Sequence, residues 1–188
     1  MGFEFLADQL ALDFVGTVSE RGTTHEDTLR SGSDLGAWIA QTGLVQAAPA
    51  VTEPELHAAK ALREALFRLV TALTAGQPPA ADDLLLLNAA AAQPPPAVHL
   101  DASGRLRREG GLAACLSAVA RSGVELLGGP DRELVCWCAG ERCTRPFVDR
   151  SRGRRRRWCG MAGCGDRAKA AAYRERRRGR AEPGSSRP

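Results

Sequence analysis

Aromatic residues, histidines and long apolar runs are all scarce in this chain of 188 residues. No apolar stretch approaches the roughly 20 residues that a membrane-spanning helix needs, so no membrane partner is expected. The N-terminus carries acidic residues where a secretory signal would carry basic ones, and it lacks a clear cleavage site. We therefore expect a cytoplasmic protein, in which clustered cysteines bind metal more often than they form disulfides.

Only three histidines are present, and none follows His99. The sequence offers no Ser/His/Asp or Cys/His catalytic arrangement and no phosphate-cradling glycine loop, so an enzyme is not expected. A metal bound beyond His99 would have to be held by sulfur. Such a ligand set favours zinc or iron over magnesium or calcium.

The net charge of +4 hides a division of the chain into an acidic and a basic part. Residues 1–135 contain 10 Lys and Arg against 17 Asp and Glu, a balance of −7. Residues 136–188 contain 16 against 5, a balance of +11. This division indicates two modules with different partners, of which the basic one is expected to bind a polyanion.

The acidic part carries the apolar periodicity of helices. Its clearest helix begins at Thr52, because Thr52 and Glu55 have the spacing of a capping box and proline is tolerated in the first turn. Gly104 can supply the positive φ angle that a hairpin turn favours. Helices are predicted over residues 5–18, 33–43, 52–75, 82–92 and 112–127, and hairpin strands over 97–101 and 105–108.

We therefore predict a mainly α (α+β) chain of two modules. Residues 1–130 are expected to form a helical domain with one β-hairpin, and residues 131–180 a small treble-clef-like zinc finger that ends in a basic helix. The polar stretch 22–32 should be a loop, the segment 128–130 a hinge, and 181–188 a disordered tail. The helical domain is expected to fold without the finger, because its apolar stripes can pair with one another.

Five of the six cysteines lie between residues 136 and 164. Cys138 and Cys143 form a C-x4-C pair, and Cys159 and Cys164 repeat it after fifteen intervening residues. Two such pairs can complete a tetrahedron around one structural zinc ion per chain, and a closed shell of four sulfurs leaves no open position for catalysis. Free or disulfide-bonded cysteines and an iron–sulfur centre are the alternatives.

The remaining two cysteines are expected to be packed thiols. Cys136 would impose a C-x6-C spacing with Cys143 if it replaced Cys138 as a ligand. Cys115 lies in the last helix of the predicted N-terminal domain, where a free cysteine behaves as a small apolar residue.

The C-terminal motifs resemble a known type of zinc finger. After the first cysteine pair come FVDRSRGRRRRWC at residues 147–159 and GMAGCGDRAKA at residues 160–170. This order closely resembles the CGNR-type zinc finger of bacterial transcription regulators. The resemblance is dense over residues 138–170.

A weaker resemblance links the start of the chain to the ABATE domain, which precedes the finger in those proteins. LALDFVGTV at residues 10–18 is similar to the LDFxNT-like opening motif of that domain, and residues 34–38 fall where it has a DLxxWL-like segment. Between residues 46 and 135 the likeness is one of size and helix pattern. It implies a stress-induced transcription regulator that binds DNA through its finger, with an N-terminal domain that senses a small-molecule ligand or mediates a homodimer.

The chain departs from the family pattern at two positions. Asp166 stands where the family signature has Asn, and we expect it to cap the helix that follows the last cysteine, since Asp and Asn serve equally well there. Gly16 stands where the opening motif usually has Asn, so any polar role of that side chain is absent.

The basic residues of the finger are the predicted nucleic-acid contacts, because the planar guanidinium of arginine donates two parallel hydrogen bonds to phosphate. Trp158 is expected to shield the metal rather than to stack on a base. Docking of an acidic protein partner, or RNA binding, are the alternative functions. The predicted contacts are Arg154, Arg155, Arg156, Arg157, Arg167, Lys169, Arg174 and Arg177.

Overall fold

A computed structural model describes residues 2–180, and the predicted disordered tail lies outside these residues. Helices predominate and, within the described range, are joined by three separate two-stranded antiparallel hairpins, which confirms the mainly α fold class. The helices are α1 (Leu10–Val15), α2 (Gly32–Thr42), α3 (Glu53–Thr74), α4 (Ala81–Ala91), α5 (Leu112–Gly128) and α6 (Asp166–Arg180), with a 3-10 helix at Pro130–Leu134 and a π-helical turn at Met161–Gly165. The strands are β1 (Val18–Ser19), β2 (Glu26–Asp27), β3 (Ala97–Leu100), β4 (Leu106–Glu109), β5 (Val135–Trp137) and β6 (Pro146–Val148).

Helices α2 to α5 begin and end close to the predicted residues because local signals fix their ends. At the start of α3, the Thr52 N–H donates to Glu55 Oε2 at 2.9 Å, which completes the predicted capping box. Helix α2 begins with a second capping box, in which Ser31 Oγ accepts from the Asp34 N–H at 3.2 Å. It ends at Gly43, whose φ of 74° lies in the left-handed region that glycine adopts freely.

The larger core lies among α1 to α5 and is centred on Trp38. Its ring is fully buried, and its centroid lies 5.1 Å from that of Phe14. Next to this core, the predicted loop at 22–32 contains the very short strand β2. It is held by the buried Arg63 of α3, whose guanidinium donates to both carboxylate oxygens of Asp27 at 2.9 and 3.0 Å. Tertiary pairing, rather than local propensity, therefore makes this strand.

The predicted helix over residues 5–18 is wrong at both ends, since α1 spans only Leu10–Val15. Asp8 has a φ of 55°, which interrupts a right-handed helix. The carboxylate of Asp13 accepts hydrogen bonds from the N–H groups of Leu6 and Ala7 at 2.8 and 2.9 Å, and so folds the preceding segment back along the helix. We call residues 2–8 the N-terminal segment. The apolar residues whose spacing predicted a longer helix therefore lie on two different surfaces rather than on one helix face.

The C-terminal part shares a second core with the helical part. The segment predicted as a hinge runs from the end of α5 directly into the 3-10 helix. Leu12, Val70 and Leu126 of the helices pack with Phe147 and Val148 of β6, and all five are buried. Because this core is continuous across residue 130, removal of the finger would expose apolar side chains of the helices.

Within residues 2–180, none of the helices combines the length and the apolar character required of a membrane span.

The buried carboxyl of Asp13 generates a prediction about pH. Burial raises the pKa of Asp13 from 3.8 to about 6, although the hydrogen bonds from Ala7 and Leu6 lower it. The folded protein therefore holds this proton more tightly than the unfolded chain does. The protonated Asp13 side chain therefore contributes fully to stability below about pH 4, and this contribution is lost as the pH rises through about 6.

An Asp13→Asn variant keeps an acceptor for the two N–H groups but does not titrate. When the pH is raised from about 4 to 7.5, the difference in free energy of unfolding between the variant and the wild type should shift by about 1–3 kcal/mol in favour of the variant. Urea unfolding of both proteins at the two pH values measures this. A difference that stays constant with pH would contradict the prediction.

Candidate metal centre and its basic surface

Four cysteines meet in the finger. Cys138 follows β5, Cys143 precedes β6, Cys159 precedes the π-helical turn into α6, and Cys164 lies within that turn. Their four Sγ atoms all lie within 4.8 Å of one another. The Cys143–Cys159 and Cys159–Cys164 sulfur pairs are 3.8 and 3.9 Å apart. A tetrahedron with zinc–sulfur bonds of about 2.3 Å has edges of about 3.8 Å, so the cluster fits one zinc ion.

The first pair of cysteines forms a tight knuckle. The Gly140 N–H points at Cys138 Sγ at 3.4 Å, and its carbonyl accepts from the Cys143 N–H at 3.0 Å. A Cβ atom at residue 140 would lie 3.2 Å from Cys164 Sγ and 3.1 Å from the Cβ of Cys143. Glycine is therefore suited to this position because the backbone passes close to the sulfurs. The Cys159 N–H also points at Cys138 Sγ, at 3.3 Å.

The pKa values of three of the four thiols show how strongly the clustered sulfurs interact. Hydrogen bonding with Cys159 lowers the pKa of Cys143 to about 5, and the same pairing raises the pKa of Cys159. Burial, followed by the charge of Cys143, raises the pKa of Cys164 to about 11. Cys143 therefore ionises more readily than Cys159 and Cys164, which keep their protons. A divalent cation at the centre would displace those protons and stabilise all four thiolates together.

The other two cysteines lie outside the group of four. Cys136 belongs to β5, where it pairs with Phe147 of β6. Cys115 is fully buried in the larger core, as predicted for a packed thiol. Phe147 is also fully buried. Trp158 is half-buried and packs against the second core, so its ring is not free in solvent.

The structure separates the predicted nucleic-acid contacts into two groups. Arg156 is half-buried and differs from all the others. The guanidinium of Arg157 stacks over Trp158 at 5.2 Å, and Arg167 donates to Cys164 Sγ at 3.1 Å, while both side chains remain largely exposed. The exposed group comprises Arg154, Arg155, Arg157, Arg167, Lys169, Arg174 and Arg177.

Arg156 joins the finger to the N-terminal segment. Its guanidinium donates to Asp8 Oδ2 at 3.0 Å and to the carbonyl oxygens of Leu6 and Cys159, and it lies 4.4 Å from the centroid of the Phe147 ring. With its donors engaged within the protein, Arg156 is not available to bind phosphate. Sequence reasoning placed it with its neighbours because a run of four arginines gives no sign of which side chain turns inward.

Further contacts connect the finger to the rest of the molecule. Arg145 donates to Glu4 Oε2 at 2.5 Å and to the carbonyl oxygen of Gly16 at 3.1 Å. The Trp137 Nε1–H donates to Thr74 Oγ1 at 2.9 Å. Neither Arg145 nor Trp137 was predicted to make such contacts, because their positions between the cysteines give no sign of their distant partners.

A buried carboxylate organises the arginine loop, residues 150–155. Asp149 accepts from the Ser151 N–H at 2.9 Å and from the Arg156 N–H at 3.0 Å, and so closes the loop at both ends. A hydrogen bond with the Ser151 side chain lowers the pKa of Asp149 the most, and the backbone bonds from Ser151 and Arg156 lower it further. Arg154 and Arg155 lie in this loop with exposed side chains.

A basic groove lies between the zinc knuckle and α6, with a volume of about 700 Å³. Glu20, Glu141 and Glu175 lie along it as well, so the groove carries both signs of charge. Arg142, which the sequence analysis overlooked, lies on the knuckle side and is 3.7 Å from Glu20. The basic side chains that line the groove are Arg142, Arg157, Arg167, Lys169 and Arg174.

The predicted capping role of Asp166 is wrong. Its own backbone is already helical, with φ of −71° and ψ of −36°, whereas a capping residue is extended. Its carboxylate lies 3.5 Å from Lys169 Nζ, in the first turn of α6. Asp166 therefore acts as a first-turn acid, where a negative charge complements the helix dipole.

Comparison with protein families agrees with the order of these features. A family model named ABATE and described as "Putative stress-induced transcription regulator" matches residues 8–130. A model of the CGNR zinc finger matches residues 135–177. No curated protein matched the chain. The two descriptions refer to regulation and to a zinc finger, and neither describes a reaction.

The cluster predicts that zinc and the helical part are coupled. Cys143→Ser and Cys159→Ser should each lose about one zinc ion per chain, because a three-sulfur shell is incomplete. Loss of the metal should also lower the unfolding temperature of the helices, since the second core is shared. Elemental analysis and thermal unfolding followed by far-UV circular dichroism measure the two effects.

Cys136→Ser is the matched control, two residues from Cys138 and outside the group of four. It should retain zinc and unfold close to the wild-type temperature. Loss of zinc from this control, or helices whose unfolding is insensitive to metal loss, would contradict the prediction.

Proposed function

Because the chain belongs to the ABATE family of transcription regulators and carries a CGNR zinc finger, we propose that it binds duplex DNA through that finger. The basic groove supports this proposal most directly, since it gathers five cationic side chains between a metal-fixed knuckle and a helix. The metal would hold these charges on a rigid frame. Phosphate contacts of this kind position a protein on DNA without reading its sequence.

Helix α6 is proposed to carry base recognition. It packs on the turn that contains Cys164, and nearly all its side chains between residues 166 and 178 are exposed. Arg167, Arg174 and Arg178 are spaced seven and four residues apart, so they share one face of the helix. The major groove of DNA admits a helix, and arginine is a frequent partner of guanine there. Arg178 was not among the predicted contacts.

The arginine loop is proposed to contact phosphate beside the groove. Arg154 and Arg155 are exposed, and the hydrogen bonds that Asp149 accepts hold the two ends of the loop together. We leave Arg156 out of the DNA-contacting set, because its donors already bind the N-terminal segment. The proposed contacts are therefore Arg154, Arg155, Arg157, Arg167, Lys169, Arg174 and Arg177, together with Arg142 and Arg178.

A pair of neighbouring arginines provides a sharp test of the loop. Arg155→Ala should weaken binding to all duplex sequences alike and reduce the slope of log K against log[salt] by about one, because one phosphate contact is lost. Arg132→Ala is the control, since this exposed arginine lies on the 3-10 helix outside the basic groove.

Arg156→Ala should instead lower stability, because it removes the contact with Asp8. Fluorescence anisotropy with labelled duplexes, together with thermal unfolding, measures these effects.

Replacement of Arg174 by Ala tests base recognition, and we expect its effect to differ between duplex sequences, with about 1–3 kcal/mol lost on the preferred one. Preference for single-stranded RNA in the same titrations would favour RNA binding. Unchanged affinity of both Arg155→Ala and Arg174→Ala, with normal zinc content, would contradict the proposal and favour docking of an acidic protein.

We propose in addition that the N-terminal domain senses a small ligand beside Trp38. The Trp38 Nε1–H is buried and has no hydrogen-bond partner among the described residues, which is costly unless something accepts from it. Trp38 lines a cavity of about 150 Å³ together with Gly16, Thr28 and Arg145. Since Arg145 belongs to the finger, a ligand there would touch both parts of the molecule.

A hydrogen-bond-accepting compound that binds in this cavity should raise the unfolding temperature of the wild type. The rise should be smaller for Trp38→Phe, which lacks the N–H, when each protein is compared with its own ligand-free state. A small-compound screen by thermal unfolding measures both. An equal rise in the two proteins would place the ligand elsewhere.

A further inference from the structure

The β3–β4 hairpin exposes several apolar side chains to solvent. All eight of its strand residues are exposed, including Val98 at 63%, Leu100 at 67% and Leu106 at 46%. Val98 and Leu100 lie on the same face of β3, and Leu106 pairs with Leu100 across the hairpin. A two-stranded hairpin with neither face covered is marginally stable in water. The hairpin therefore lacks a partner surface.

The two edges of this hairpin differ, because only the β4 edge is occupied. Gln46, in the segment after α2, acts as a short substitute strand. Its side-chain amide accepts from the Arg108 N–H at 2.6 Å and donates to the Leu106 carbonyl oxygen at 3.1 Å, while its own N–H donates to the Arg108 carbonyl oxygen at 3.3 Å. The backbone groups of Leu106 and Arg108 therefore point away from β3.

The opposite edge follows from the alternation of antiparallel pairs. Leu100 is the cross-strand partner of Leu106, and Val98 that of Arg108. When one residue of such a pair turns its backbone groups outward, so does the other. The N–H and C=O groups of Val98 and Leu100 thus point outward from β3, and within the described chain no hydrogen bond reaches them. This is an open strand edge.

We propose that the β3 edge pairs with the β3 edge of a second copy of this chain. Around a twofold axis at His99, Val98 of one copy lies opposite Leu100 of the other, so the outward groups of each meet those of its partner. The result is a four-stranded antiparallel sheet whose interface is isologous. Residue alternation then continues one apolar face across the axis, with Leu106, Leu100 and the partner's Val98 in a row.

Charge favours β3 over β4 for this contact. The four residues of β3 carry no acid, lysine or arginine, whereas β4 carries Arg107, Arg108 and Glu109. Antiparallel pairing of β4 with its own copy would bring arginines together. Exposed edges are normally protected by charge, proline or a covering segment. Among the two edges of the hairpin, β4 has the charges and the cover of Gln46, and β3 has neither along its length.

The contact is small, so the dimer should be reversible. A pair of four-residue strands buries less than the about 1,600 Å² of a standard interface, and we expect association at micromolar or higher concentration. Analytical ultracentrifugation of the zinc-loaded full chain, without DNA and with a reductant that prevents disulfides, should show an average mass that rises towards twice the monomer mass.

Two variants test the edge itself. Val98→Pro removes an outward N–H that β4 does not use, so the hairpin can persist while the intermolecular bond is lost. Val98→Lys places a charge on the edge. Both should remain monomeric at concentrations where the wild type dimerises, with unchanged far-UV circular dichroism and zinc content. Leu85→Lys, which changes a comparably exposed leucine (68%) on α4, should dimerise like the wild type.

Three outcomes would overturn the proposal. The first is a wild type that stays monomeric up to near-millimolar concentration. The second is a dimer that persists in both Val98 variants, which would place the interface elsewhere. The third is loss of the dimer in Leu85→Lys with its retention in Val98→Lys, which would assign the interface to α4. None of these results depends on whether the finger binds DNA.

Discussion

Four cysteine sulfurs within 4.8 Å of one another form the ligand set of one zinc ion, and the C-terminal part of the molecule depends on this constraint. The finger has few apolar residues of its own, so coordination would supply much of the free energy that fixes its turns. The knuckle and the start of α6 take their positions from the sulfurs. The positions of the basic side chains on these elements therefore depend on the sulfur cluster.

The metal-centred finger is also fixed from outside. Phe147 and Val148 of β6 pack against Leu12, Val70 and Leu126, so a change in the finger alters the burial of helix residues. Arg156 adds a polar connection by binding Asp8, while Asp13 holds the same N-terminal segment in place. Part of the positive charge of the finger is therefore used within the molecule. A count of arginines overstates the charge available to an external polyanion.

Sequence alone predicted the parts of the fold that local signals determine. Thr52 with Glu55 fixes the start of α3 and Gly43 the end of α2, and the two C-x4-C pairs identified the four clustered cysteines. It failed where distant residues decide the conformation. The apolar spacing of residues 5–18 is compatible with a helix, but the bonds of Asp13 to Leu6 and Ala7 bend the chain. Strand β2 depends on Arg63, 36 residues away, and the inward turn of Arg156 depends on Asp8.

The way in which Asp149 closes the arginine loop has a consequence for how this surface can change. One buried carboxylate binds both ends of the loop, through Ser151 and Arg156, and leaves residues 152–155 outside its hydrogen bonds. The interior of the loop is thus insulated from the metal shell on one side and from the Asp8 contact on the other. Gly153 and Arg154 have positive φ angles of 81° and 50°, so side chains can be exchanged with little effect on folding mainly at residues 152 and 155. These two positions can therefore tune the strength of binding to a polyanion while the scaffold stays the same.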